Sequence, residues 1–78
     1  MSRLGLIAGN GLFPTLVLEE ALRQGIEVVV AAISEEASPE IEQIVDASEG
    51  VASVHWLGVG QLGKLIKIFK SSGVSRAV

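Results

Sequence analysis

Seventy-eight residues make at most one small domain, and a chain of this length buries only about 60% of the surface it exposes when unfolded. At 49% hydrophobic and 19% charged it is not a disordered tail, and the absence of cysteine excludes disulfides, thiolate catalysis and cysteine-held zinc. A net charge of -3 and a pI near 4.9 argue against general nucleic-acid binding, but the charge is uneven: all nine acids precede residue 51, while Lys64, Lys67, Lys70 and Arg76 follow it, so a local anion site remains open.

A single histidine, His55, leaves no histidine-rich metal centre. The longest apolar run, 26–33, is interrupted by Glu27 and falls far short of the ~20 residues that span a bilayer. The N-terminus shows no charged segment followed by an apolar one and a small-residue cleavage site. A soluble intracellular chain is the expectation.

In chain order, residues 3–8 (RLGLIA) read as a buried strand bounded by glycine. Gly9-Asn10-Gly11 marks a turn, and Pro14 suits the first turn of a helix, where its missing N–H costs nothing. Phe13, Val17 and Ala21, with Leu16 beside them, form the stripe expected to face the core, leaving Glu19, Glu20 and Arg23 to water. Gly25 closes that helix. Residues 27–33 are Val-rich and apolar on both faces, as a parallel strand covered by helices is.

Residues 34–38 connect to a short helix, with Ser38 as its N-cap, Pro39 as its first residue and Ala37, Ile41, Ile44 and Val45 on its inner face. Residues 46–50 close it, and 51–57 read as a third strand with His55 and Trp56 near its end. Gly58-Val59-Gly60 is the second glycine turn, and Leu62, Leu65, Ile66 and Phe69 then give the clearest helical spacing in the chain. Gly73 caps that helix, and 76–78 begin a fourth strand. The pattern βαβαβαβ predicts a Rossmann-like α/β fold, a parallel sheet with flanking helices and right-handed crossovers. It breaks off as the fourth strand begins, so the expectation is a partial domain, residues 1–78 of something longer.

In an open parallel sheet, ligands bind beyond the carboxyl ends of the strands, where both glycine turns are placed. Glycine admits close backbone approach, and the helix that follows offers unpaired N–H groups and a partial positive charge, so each turn is a candidate phosphate cradle. The alternative in both cases is a plain strand-to-helix turn with no ligand. The first, 9–14, starts like a dinucleotide fingerprint but has Pro14 where the third glycine should stand. The second, 58–64, satisfies G-x-G-x-x-G between a strand and a helix. It also satisfies the G-x-x-x-x-G-K part of a P-loop, but Leu65 stands where a magnesium-binding Ser or Thr belongs, which argues against a nucleoside triphosphatase. Gln61 and Lys64 are candidate partners for ligand oxygens. The two bends are expected to follow neighbouring strands and to share one anionic guest.

His55 reads first as a structural histidine and second as a phosphate or sugar contact. Trp56 reads as core or interface. Lys64, Lys67 and Lys70 make a loose basic face, either solvated or drawn to an anionic lipid or phosphorylated ligand. Glu35, Glu36, Glu40, Glu42 and Glu49 read as surface charge.

Two segments, LGLIAGNGLFP at 4–14 and HWLGVGQLGKLIKIFKSSG at 55–73, resemble the N-terminal domain of the LpxI-type UDP-2,3-diacylglucosamine pyrophosphatase. The paired motifs with their separation are more specific than either glycine turn alone. The resemblance implies hydrolysis of UDP-2,3-diacylglucosamine to 2,3-diacylglucosamine 1-phosphate (lipid X) and UMP in lipid A biosynthesis, with magnesium as the cofactor. It implies a C-terminal domain that carries the catalytic acid and the metal, so this chain alone would hold no catalytic residue, bind no metal and be inactive. The contacts it carries over are Gly9, Asn10 and Gly11 and the segment Gly60, Gln61 and Leu62, as substrate-binding residues.

The implied partners are the lipid-linked sugar nucleotide, the C-terminal domain and the inner face of the inner membrane. The implied location is cytoplasmic or peripheral, and nucleic acid is not among the partners. A homo-oligomer is a further expectation, because a doubly wound sheet of this kind leaves an unpaired edge. Two other readings stay open: a nucleotide-binding Rossmann fragment of a dehydrogenase-like enzyme, and a structural half-domain with no ligand.

Overall fold

A computed structural model describes residues 3–78. Four parallel strands, β1 (Arg3–Ala8), β2 (Glu27–Ile33), β3 (Ala52–Leu57) and β4 (Arg76–Ala77), form one sheet in the order β3-β2-β1-β4. Between them run the helices α1 (Phe13–Arg23), α2 (Glu40–Ala47) and α3 (Gly63–Ser71), the last preceded by a single 3-10 turn over Val59–Gln61. The alternation read from the sequence is the alternation observed, and the fold is Rossmann-like.

The strand order follows from which segments are apolar on both faces. β2 is flanked on both sides, and every residue from Val28 to Ile33 is buried. One face of the sheet (Leu6, Ala8, Val28, Val30, Ala32 and Ala52) packs against Leu18 and Ala21 of α1 and Ile41 and Val45 of α2. The residues between them along each strand point to the other face, which α3 approaches. There the ring of Phe69 and the side chain of Val74 lie so close to Gly5 that a Cβ at that position would stand 2.9 Å from both. The glycine inside β1 is thus a packing requirement of α3.

The stripe that α1 turns inward differs from the expected one. Pro14, Thr15, Leu18 and Ala21 are buried, whereas Phe13 and Leu16 are 67% and 58% exposed. Two apolar stripes overlap on this helix and share Ala21, so spacing alone does not choose between them. The choice comes from the sheet, which meets the helix on the Leu18 side. On α3 the helix is where its spacing put it, but no residue of it is fully buried, and Ile66 is 62% exposed.

At the helix ends the expectations hold with a shift of one residue: α2 begins at Glu40 with Pro39, not Ser38, in the N-cap position, although Ser38 Oγ still accepts the Glu40 amide at 3.2 Å. Gly25 and Gly73 take the positive φ expected after α1 and α3. The third strand starts at Ala52, one residue later than expected, because the Val51 amide turns back to the carbonyl of Ser48. At the other edge, β4 is stitched to β1 by Ser75 N–H to Arg3 C=O, Val78 N–H to Gly5 C=O and Ile7 N–H to Val78 C=O.

Candidate functional site

Because all four strands are parallel, their carboxyl ends share one rim, and both glycine turns open on it. They do not follow neighbouring strands as expected. β2 stands between β1 and β3, and with strands ~4.8 Å apart the two turns are separated by about 10 Å. A guest that touches both must be long enough to cross the end of β2. The strand order reverses direction between β1 and β4, so the turn after β1 lies at the position where open α/β sheets take their ligands.

That first turn is open. Among the described residues, the backbone amides of Gly9, Asn10, Gly11 and Leu12 donate to no other group of the chain, and Leu12 gives α1 no side-chain cap. Nothing lies within 4 Å of where a Cβ would stand on Gly9 or Gly11. The left-handed residue is Gly11, with φ 92°, and Asn10 keeps an ordinary negative φ and stands exposed. The turn therefore offers unpaired N–H groups at the positive end of an eleven-residue helix.

The second turn is largely self-satisfied. The Gly58 amide donates to Gln61 Oε1 at 3.0 Å, and the Gln61 amide donates to the Gly58 carbonyl at 2.9 Å. The side chain of Gln61 holds its own turn through Oε1. The Val59 amide donates to Glu35 Oε1 at 3.0 Å. Gly60 has open space around it, and Leu62 is 45% exposed. Val59, 56% exposed, shares the surface of the bend with them.

Glu35 is the residue that the sequence reading missed. It stands two residues past the end of β2, between the two turns along the rim, and its carboxylate is held from two sides. Ser34 Oγ donates to Oε2 at 2.6 Å and the Val59 amide to Oε1 at 3.0 Å. The Ser34 hydroxyl first, and then the Val59 amide, keep its carboxyl below the ordinary glutamate range, so it is an anion at neutral pH. A signal was present: an acid 24 positions after Gly11, close to the ~20 that separates a glycine turn from the ribose-binding acid of dinucleotide folds.

The remaining sequence candidates are scattered. His55 lies exposed on edge strand β3, on the face that α3 approaches, while Trp56, 37% exposed, points to the α2 face. Lys64, Lys67 and Lys70 are exposed on α3. A cavity of about 510 Å³ between the C-terminal ends of α1 and α2, lined by Leu22, Arg23, Ile44 and Val51, lies at the opposite end of the sheet from the rim. Among the described residues, no three His, Asp or Glu side chains converge to hold a metal. The donors here do not fit a magnesium site. No helix of the described chain is long and apolar enough to cross a membrane.

A parallel β3-β2-β1-β4 sheet with an open glycine turn at its switch point defines a Rossmann-like α/β domain with an anion-receptive rim. The family model for the LpxI N-terminal domain matches residues 3–78, and the chain belongs to that family, a domain of enzymes of lipid A biosynthesis. No curated protein and no solved structure matches the chain significantly.

Proposed function

We propose that the chain is the substrate-binding domain of a UDP-2,3-diacylglucosamine pyrophosphatase, which yields lipid X and UMP. The observation that carries this reading is the family match over residues 3–78, and the free amides of Gly9, Asn10 and Gly11 at the switch point agree with it. These amides receive the diphosphate of the substrate. The nucleoside end runs along the rim toward Gly60, the Gln61 amide and Leu62, some 10 Å away across β2, a span that suits an extended sugar nucleotide and not a lone phosphate. The acyl chains leave in the other direction.

Hydrolysis of a pyrophosphate needs charge neutralisation on the phosphoryl oxygens, commonly by a divalent cation. In this reading magnesium and the catalytic acid belong to the C-terminal domain of the enzyme, at the cytoplasmic face of the inner membrane. The work of this chain is to orient the diphosphate and keep the nucleoside in register with it.

The test is UMP release from UDP-2,3-diacylglucosamine with magnesium present, by the 78-residue chain and by the two-domain enzyme. The two-domain enzyme is expected to turn over and the isolated chain to bind without hydrolysis; turnover by the chain alone would place the active site wrongly. Replacing Gly11 with Val in the two-domain enzyme is expected to raise KM at least tenfold, since a side chain there is strained at φ 92° and enters the cradle.

A further inference from the structure

We propose that Asn10 is a self-modification site left open by the fold: it deamidates onto the Gly11 amide, and the carboxylate that results closes the turn after β1 to anions. The deamidation stands on the turn itself. Its consequence for binding rests on the nucleotide reading given above.

The step is an internal acyl transfer. The Gly11 backbone nitrogen gives its proton to hydroxide and bonds to the side-chain carbonyl carbon of Asn10. The bond from that carbon to the side-chain nitrogen breaks, and ammonia leaves. The five-membered succinimide then takes up one water, which opens it at either carbonyl and leaves an aspartyl or an isoaspartyl residue at position 10. Water is the only co-reactant.

The structure meets each demand of that step. The nucleophile must be free, and among the described residues the Gly11 amide donates to no other group. It must be unshielded, and nothing lies within 4 Å of where a side chain on Gly11 would begin. The backbone must be able to turn about Asn10, which stands exposed in the segment between β1 and α1. The positive end of α1 favours both the attacking nitrogen anion and the carboxylate product. The pair Gln24-Gly25 carries the same two groups and is held shut. There the Gly25 amide donates to the Leu22 carbonyl at 3.0 Å, and the Gln24 side chain donates to Glu20 Oε2 at 2.7 Å.

The consequence follows from sign. The free amides of this turn are partners for an anion, and deamidation attaches an anion beside them. The new carboxylate takes up N–H groups at the start of α1, as a capping aspartate does, and repels a diphosphate from the same place. The modified chain therefore keeps its fold and loses its anion site.

The experiment incubates the natural chain and Asn10→Gln in warm, mildly alkaline buffer, folded and in urea, and follows intact mass and isoaspartyl content. Asn10 is the one asparagine of the sequence, so an early gain in mass is assigned to it directly. Fresh, aged and Asn10→Asp chains are then titrated with UDP by backbone amide shifts, and their melting temperatures are compared. The folded natural chain is expected to gain the mass of an amide-to-acid exchange at close to the rate of the unfolded chain, and Asn10→Gln to gain none. The aged chain and Asn10→Asp are expected to melt no lower than the fresh chain and to bind UDP about tenfold more weakly, the effect of one like charge within a few Å. A mass gain confined to the unfolded chain, or one that persists in Asn10→Gln, overturns the proposal. So does undiminished binding by the aged chain and Asn10→Asp, or weaker binding that comes with a fall in melting temperature. A fresh chain that binds no UDP overturns the nucleotide reading and the closure of the turn with it, whatever the mass record shows.

Discussion

Gly5 and Gly11 are required for opposite reasons, and substitution separates them. At Gly5 the backbone is ordinary strand and the space is taken by Phe69 and Val74, so Gly5→Ala must push α3 off the sheet. The expected cost is about 1–3 kcal/mol, read as a fall in the urea midpoint. At Gly11 the space is open and the backbone is left-handed, so Gly11→Ala is expected to cost about 1 kcal/mol by strain alone while the Phe69 environment stays native. Glu35 has a signature of its own. Its folded-state pKa is lowered by Ser34 and Val59, so its contribution to stability is present above the unfolded value near 4.5 and is lost as pH falls through the lower folded value. Acid unfolding curves of the natural chain should therefore slope more steeply below pH 4.5 than those of Glu35→Gln. Glu20, similarly held low by Gln24 and then Arg23, supplies a parallel slope that the substitution leaves intact.

Helix α1 allows a comparison at fixed chemistry. Leu18 is fully buried and Leu16 is 58% exposed, two residues apart on the same helix. Leu18→Ala is expected to cost about 2–5 kcal/mol, a large part of the roughly 4–12 kcal/mol that a chain of this size commands, whereas Leu16→Ala should stay within about 0.5 kcal/mol. Chemical denaturation of the two variants decides it. The same helix shows how far the sequence can be read. Its existence, its Pro14 start and its Gly25 end are local properties and were legible. Which of its two apolar stripes faces inward is decided by the docking of a sheet that local spacing does not contain. The strands were legible because each is a short apolar run closed by a polar or glycine break. The open turn after β1 was legible as glycine chemistry. The hold of the Val59 amide on Glu35 was not, because the two are 24 residues apart and brought together only by the pairing of β2 with β3.

Across the whole molecule the charge asymmetry of the chain becomes a spatial one. α1 and α2, on one side of the sheet, carry Glu19, Glu20, Glu40, Glu42 and Asp46, while α3 carries three lysines and no acid. Strand β3 has no charged residue to protect its outer edge, which natural sheets ordinarily arm against pairing. The sedimentation coefficient is accordingly expected to rise with concentration, and His55→Lys, at an exposed position on that edge, to return the chain to a monomer. A monomer at every concentration in the natural chain would rule that pairing out.

The stitching of β4 to β1 separates the amides of a single strand into two populations. The odd-numbered groups of β1 look toward the last few residues, as the Ile7 bond to Val78 shows, and the even-numbered ones look toward the long ladder of β2. Contacts that close a loop of some seventy residues form late and fray early. Deuterium should therefore enter β1 as a comb, quickly at Ile7 and slowly at its neighbours Leu6 and Ala8, so that one strand reports at once on the most labile and the most durable parts of the domain.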